Sequence, residues 1–299
     1  MNNATPVRGL WCALLTPLDQ KGSVDHARLA RHAQALLARG VDGVAPFGTT
    51  GEGQSFAMPE RLTGTDALLK AGVPASRVVV ATGCVALPET IALTRHGVLS
   101  GCAACLVLPP FFWKDASDDG LFAWYAQLIE AINDTRLRIY LYHIPHVSGV
   151  PLSVDLIARL AEAFPGIICG VKDSAGDWNN TAALLARVPQ LAIMVGHEPH
   201  LPRLMRAGGA GTICGVANVD PALVRALMSP GVTAADEKRI ATLIEIAFRQ
   251  PLLAGFKAIV AERMHDPGWL AMRPPLLPLD DAARVTLLAA WKDAGFSVS

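Results

Sequence analysis

Short apolar runs alternate with longer stretches in which apolar positions recur every three or four residues, and this rhythm holds to about position 232. The runs predict strands at Gly9 to Leu15, Gly43 to Pro46, Arg77 to Thr82, Ala104 to Leu108, Leu137 to Tyr142, Ile167 to Val171, Leu191 to Val195 and Gly211 to Cys214. Between them lie helical patterns at Asp25 to Ala38, Pro59 to Leu69, Leu87 to Val98, Asp118 to Ile132, Ser153 to Phe164, Asn179 to Ala186, His200 to Arg206 and Pro221 to Met228. In the first, Leu29, Ala33, Leu36 and Leu37 share one side while Arg28 and Arg31 fall mostly away from it, the pattern of a helix lying on a sheet. Ser153 suits an N-cap, because its hydroxyl can satisfy an orphan amide of the first turn. Parallel strands joined by crossover helices predict an α/β fold, a (β/α)8 TIM barrel.

After position 232 the rhythm changes. Asp236 to Arg249, Leu252 to Met264 and Asp280 to Ala290 read as helices with no strands between them, and Met272 to Leu279 is a proline-stiffened connector. The expected organisation is a barrel over 1–232 and a helical extension over 233–299 packed on it. A doubly wound sheet is the rival fold, but Thr16 to Gly22 after the first run is not the Gly-rich turn that fold uses for nucleotides.

Composition narrows the function. Hydrophobic residues make up 52% of the 299 positions and charged residues 17%, which favours self-association over a fully solvated surface. Charge is balanced, 26 Lys plus Arg against 26 Asp plus Glu, so neither nucleic acid nor an anionic membrane is an expected partner. The first residues lack the pattern of a secretory signal, and no apolar stretch is long enough to span a bilayer. Six cysteines in or beside apolar runs read as buried thiols of a reducing compartment, and the expected location is the cytoplasm. The Cys102/Cys105 pair has redox or zinc spacing but no second ligand pair nearby.

In a barrel, groups at the C-terminal ends of the strands converge on one mouth. Lys172, directly after the sixth run, is an amine that partial loss of water would make nucleophilic; a lysine pointing outward or paired with Asp173 is the alternative. Tyr142 closes the fifth run and is a candidate proton carrier, or a core tyrosine with a satisfied hydroxyl. Gly48-Thr-Thr-Gly-Glu52 offers amides and the hydroxyls of Thr49 and Thr50 to a carboxylate, unless it is a plain strand-to-helix turn. Of Gly208 to Gly215, only Cys214 and Gly215 reach the mouth, a weak basis for a phosphate site. His143, His146, His197 and His200 invite a metal assignment, but a metal and a Schiff-base lysine are alternative ways to stabilise one carbanion. No metal or cofactor is expected, and one or more of these histidines is expected to line the substrate pocket instead.

Gly48-Thr-Thr-Gly-Glu52, Tyr142-His-Ile-Pro145 and Gly170-Val-Lys-Asp-Ser174 resemble, in order and spacing, the motifs of the dihydrodipicolinate synthase and N-acetylneuraminate lyase family of pyruvate-dependent class I aldolases. Pro110, Gly211 to Gly215 and Arg273 to Leu276 extend the likeness over nearly the whole chain. The resemblance implies that Lys172 forms the imine, that Tyr142 shuttles protons, that Thr49 and Thr50 receive the carboxylate with Thr50 also orienting Tyr142, and that the Ile213 carbonyl sits near the imine. It also implies a homotetramer built as a dimer of dimers and a small 2-keto acid as partner.

Three departures bear on specificity. Many members carry a tyrosine after the fourth strand that crosses the dimer interface into a proton relay; Phe112 stands there and has no hydroxyl. Where dihydrodipicolinate synthases hold a carboxylate with arginine, this chain has Val147, and where sialic-acid lyases have an aspartate-glutamate pair, it has His197 and Glu198. With His143 and Ser148 these residues complete the expected substrate pocket. The expected function is an aldolase or related dehydratase acting on a 2-keto-3-deoxy sugar acid or similar hydroxylated 2-keto acid. The alternatives are 4-hydroxy-tetrahydrodipicolinate synthase, N-acetylneuraminate lyase and a non-catalytic keto-acid-binding barrel.

Overall fold

A computed structural model describes residues 6–297; the outer limits 1 and 299 of the expected organisation lie outside the described residues. Eight parallel strands form one sheet: β1 (Gly9–Ala13), β2 (Gly43–Ala45), β3 (Val79–Ala81), β4 (Ala104–Val107), β5 (Ile139–His143), β6 (Ile168–Asp173), β7 (Ala192–Val195) and β8 (Gly211–Cys214). Their order, β2-β1-β8-β7-β6-β5-β4-β3, is brought round on itself by a parallel bridge between Val44 and Val78, giving the (β/α)8 barrel.

Crossovers carry α1 (His26–Ala38), α2 (Met58–Lys70), α3 (Leu87–Leu99), α4 (Asp118–Ile132), the single turn α5 (Pro145–Ser148), α6 (Val154–Ala163), α7 (Trp178–Arg187) and α8 (Leu201–Arg206). After β8 come α9 (Pro221–Leu227), α10 (Ala234–Phe248), α11 (Leu252–Met264) and α12 (Asp281–Asp293). Ser153 caps α6 as expected, its hydroxyl accepting the Leu156 amide at 3.0 Å, a contact of the kind that contributes about 1 kcal/mol.

Strand alternation divides the core in two. One layer lies between strands and helices and includes Leu10, Leu141 and Val171; the other fills the barrel interior with Trp11, Val79, Leu106, Tyr140, Tyr142 and Met194. In β6 the pairing slips: Ile139 pairs with Ile168 but Tyr140 with Gly170, so one residue of β6 is extra. That bulge sets the facing of everything beyond it, and Lys172 is registered beside inward-facing Tyr142. Pairing continues to Asp173, so Lys172 lies inside β6 rather than after a strand ending at Val171.

Candidate active site

At the C-terminal mouth of the barrel is a cavity of about 510 Å³, into which Thr49, Thr50, Tyr142, Lys172, His197, Glu198 and Ile213 all project or present backbone. Lys172 is 4% exposed, and its ammonium nitrogen lies 4.2 Å from the centroid of the Tyr142 ring. The ring face is negative, so it favours a cation there and narrows the directions the nitrogen can take. Gly196, after β7, makes room for the lysine: a methyl group on it would stand 3.1 Å from Lys172 Cε and 2.0 Å from Ser174 Oγ.

The Tyr142 hydroxyl hydrogen-bonds Thr49 Oγ1 at 3.2 Å. The hydrogen bond to the phenol is thus made by Thr49, whereas the resemblance implies an orienting part for Thr50. Thr50 instead stands beside Gly215, where an added methyl group would be 3.2 Å from its Oγ1 and 3.0 Å from Phe256 Cε2. The backbone shapes the turn that carries both threonines. Phe47 and Glu52, on either side of the threonines, both have left-handed φ, 58° and 55°. Such conformations cost non-glycine residues on the order of 1–3 kcal/mol and persist only where surroundings enforce them. Here Phe47 is buried edge-to-face on Phe56, with ring centroids 5.8 Å apart, and Glu52 pairs with Lys257. Gly53 has no space for any side chain, since a Cβ would meet the Phe47 carbonyl oxygen at 1.7 Å.

Glu198 is buried at the cavity edge and accepts the Val216 amide at 3.3 Å. Burial raises its pKa above the ordinary carboxylate value, opposed by hydrogen bonds from backbone amides and Cys214 and by the Lys172 charge. His197 packs edge-to-face on His200 at 4.5 Å, and burial followed by the nearby His200 lowers its pKa. The Glu198 carboxyl, the His197 imidazole and the Ser174 hydroxyl line one side of the cavity and can exchange hydrogen bonds with hydroxyl groups.

Three expected pocket residues are not in the lining of this cavity. Phe112 is 66% exposed, forms an edge-to-face pair with Trp113 and is absent from the lining of its own chain's cavity. His143 follows Tyr142 and so takes the opposite facing, towards the helices, where its Nδ1 accepts the Leu152 amide at 3.0 Å. Ser148 is buried, its hydroxyl donating to the Val150 carbonyl at 3.0 Å, and it borders an adjoining cavity of about 280 Å³ that shares Thr49, Ile144, Val147 and Leu253 with the first. Cys105, of the pair with metal-like spacing, is a buried free thiol. Sequence reasoning missed the opposite wall, where Ile244, Phe248, Leu252, Leu253 and Phe256 of α10 and α11 complete the cavity. Their only local signal is an apolar face, which core packing explains equally well.

A family model described as the dihydrodipicolinate synthetase family matches residues 6–294. An uncharacterized DapA-like lyase of Chloroflexus aurantiacus is 34% identical over 290 residues, covering 95% of this chain and 96% of the relative. The crystal structure of dihydrodipicolinate synthase from Agrobacterium tumefaciens superimposes with a TM-score of 0.91 at 36% identity, covering 96% of this chain and 99% of that one. A chloride-inhibited dihydrodipicolinate synthase from Acinetobacter baumannii, complexed with pyruvate, gives 0.86 at 28% identity, covering 97% and 100%. The chain belongs to the dihydrodipicolinate synthetase family and is a class I lyase that works through a lysine Schiff base.

Proposed function

We propose that Lys172 forms an imine with a 2-keto acid and that the enzyme cleaves, or dehydrates, a 2-keto-3-deoxy sugar acid or a similar hydroxylated 2-keto acid. The observation that carries this is the buried Lys172 nitrogen against the Tyr142 ring inside the mouth cavity. The amine attacks C2 and water leaves, giving a protonated imine. In cleavage, Tyr142 takes the proton of the C4 hydroxyl, that oxygen forms the aldehyde carbonyl, and the C3–C4 electron pair moves to C3 as the imine becomes an enamine. Protonation at C3 and hydrolysis release pyruvate and free Lys172. Thr49 and Thr50 present hydroxyls to the carboxylate, Ile213 offers its backbone beside the imine, and Glu198, His197 and Ser174 read the distal hydroxyls.

Val147 supports this choice over 4-hydroxy-tetrahydrodipicolinate synthesis, because it gives a second carboxylate no cation and no arginine lines the cavity among the described residues. The solved synthases of Agrobacterium tumefaciens and Acinetobacter baumannii favour that second reading, and turnover of aspartate semialdehyde with pyruvate at a dedicated enzyme's rate would establish it. The deciding test of the first is borohydride reduction with pyruvate. A reduced adduct on Lys172 is expected, and its absence ends the mechanism. A screen of keto-deoxy acids for pyruvate release, with Lys172→Ala as control, then assigns the substrate.

The low charge fraction and the exposed Phe112/Trp113 pair support assembly into a homotetramer, measurable by light scattering. Six free thiols support a reducing, cytoplasmic location, and no helix among the described residues is long and apolar enough to cross a membrane.

A further inference from the structure

The C-terminal helices do more than wall the cavity. Lys257 of α11 reaches into the turn after β2, its nitrogen 2.5 Å from Glu52 Oε1, and both side chains are 0% exposed. The same nitrogen donates to the Ala271 carbonyl at 2.9 Å, so the ammonium is anchored from the helical extension as well. Glu52 is the left-handed residue that closes the turn: its amide donates to the Thr49 carbonyl at 3.1 Å, and the Gly53 amide donates to Gly48 at 3.0 Å. On the β1 side, the Thr16 hydroxyl donates to the Gly51 carbonyl at 2.7 Å. Phe256, next to Lys257 in α11, lies with Thr50 against Gly215. Consecutive residues of one helix thus hold the end of the turn and bracket its second threonine.

An ion pair removed from water is a poor source of stability but a strict geometric constraint, because either charge without its partner is strongly disfavoured. We propose that Glu52 and Lys257 are positioning residues, locking the turn so that Thr49 meets the Tyr142 hydroxyl and Thr50 faces the keto-acid carboxylate. Neither touches the reacting atoms; they act through the threonines. The inference rests on the imine reading of Lys172, and the parent enzyme tests that reading separately: if the parent traps no pyruvate with borohydride, the imine reading fails before the pair is examined.

The test uses Lys257→Met and the neutralised double variant Glu52→Gln/Lys257→Met, which leaves no lone buried charge and keeps the experiment open if the single variant does not fold. Half-saturation by pyruvate is read from borohydride trapping on Lys172, on protein whose circular dichroism matches the parent. We expect it to rise about tenfold in each folded variant. Adding Thr49→Val to the double variant should then cost less than the same change costs in the parent, because the hydroxyl has already lost its place. A purely structural pair would lower the melting temperature and leave half-saturation at the parent value. That result, or full additivity with Thr49→Val, overturns the proposal.

Discussion

Tyr142 and Thr49 meet hydroxyl to hydroxyl at 3.2 Å, while Lys172 lies against the face of the same phenol at 4.2 Å. Nucleophile and proton carrier are held together by adjacent parallel strands, whose register pairs Tyr142 with Lys172.

The first prediction separates their roles. Tyr142→Phe keeps the ring beneath the amine but removes the hydroxyl, so pyruvate should still be trapped on Lys172 at equilibrium while turnover falls by about 10²–10⁴. Thr49→Val should slow proton exchange at the pyruvate methyl group more than Thr50→Val does, because only Thr49 is bonded to the phenol. Deuterium exchange followed by NMR measures both. Equal loss in the two threonine variants would show that Thr49 has no special part in orienting Tyr142.

These details mark where the sequence stops being legible. Strands buried on both faces read as apolar runs whatever their partners, so all eight were visible. The bulge in β6 was not, because an extra residue at Cys169 or Gly170 is a property of pairing with β5 rather than of composition. That Thr49 bonds the phenol was not legible either, since left-handed φ at Phe47 and Glu52 goes against the ordinary preference of both residue types. Phe256 and Lys257 look like any helix interior until α11 is placed over the turn after β2. Phe112 matched by motif position, but a single chain leaves it on the surface.

The second prediction concerns Glu198, whose folded pKa is raised above the carboxylate value of 4.5, chiefly by burial. The folded state then binds the proton more tightly than the unfolded chain, so the group's stabilising contribution is complete below about 4.5 and declines as pH rises towards the raised value. Glu198→Gln keeps the shape and a donor but cannot ionise. Its melting temperature should match the parent near pH 4 and exceed it increasingly towards neutrality. Parallel curves for the two proteins would mean that Glu198 titrates like an exposed carboxylate.

A third prediction runs in the opposite direction. His32 in α1 is buried edge-to-face on Trp269 with Nε2 3.0 Å from Asn218 Oδ1, and burial lowers its pKa from 6.5 to about 4. Here the unfolded chain binds the proton more tightly, so stability rises with pH across that window and is lost on acidification, by up to about 3 kcal/mol. His32→Gln should flatten the curve between pH 6.5 and 4 relative to the parent. Urea unfolding at several pH values measures it, and an unchanged slope would locate the acid sensitivity in other groups.

The last prediction tests the floor beneath Lys172. Gly170, at the β6 slip, faces inward beside Tyr140, where an added Cβ would stand 2.3 Å from Tyr140 Cε1 and 2.4 Å from the Ala192 carbonyl oxygen. Gly170→Ala therefore has to displace both a buried ring and the neighbouring strand, and overpacking of this kind destabilises by about 1–3 kcal/mol. Shortening the ring with Tyr140→Leu removes one obstruction but also the hydrogen bond from its hydroxyl to the Val7 carbonyl at 2.7 Å. The Ala192 carbonyl remains, and backbone in a paired strand cannot turn aside as a side chain can. Urea unfolding should therefore show the double variant less stable than Tyr140→Leu alone, with borohydride trapping on Lys172 reduced in whatever remains folded. If Tyr140→Leu makes Gly170→Ala harmless, the ring rather than the strand spacing sets the requirement for glycine.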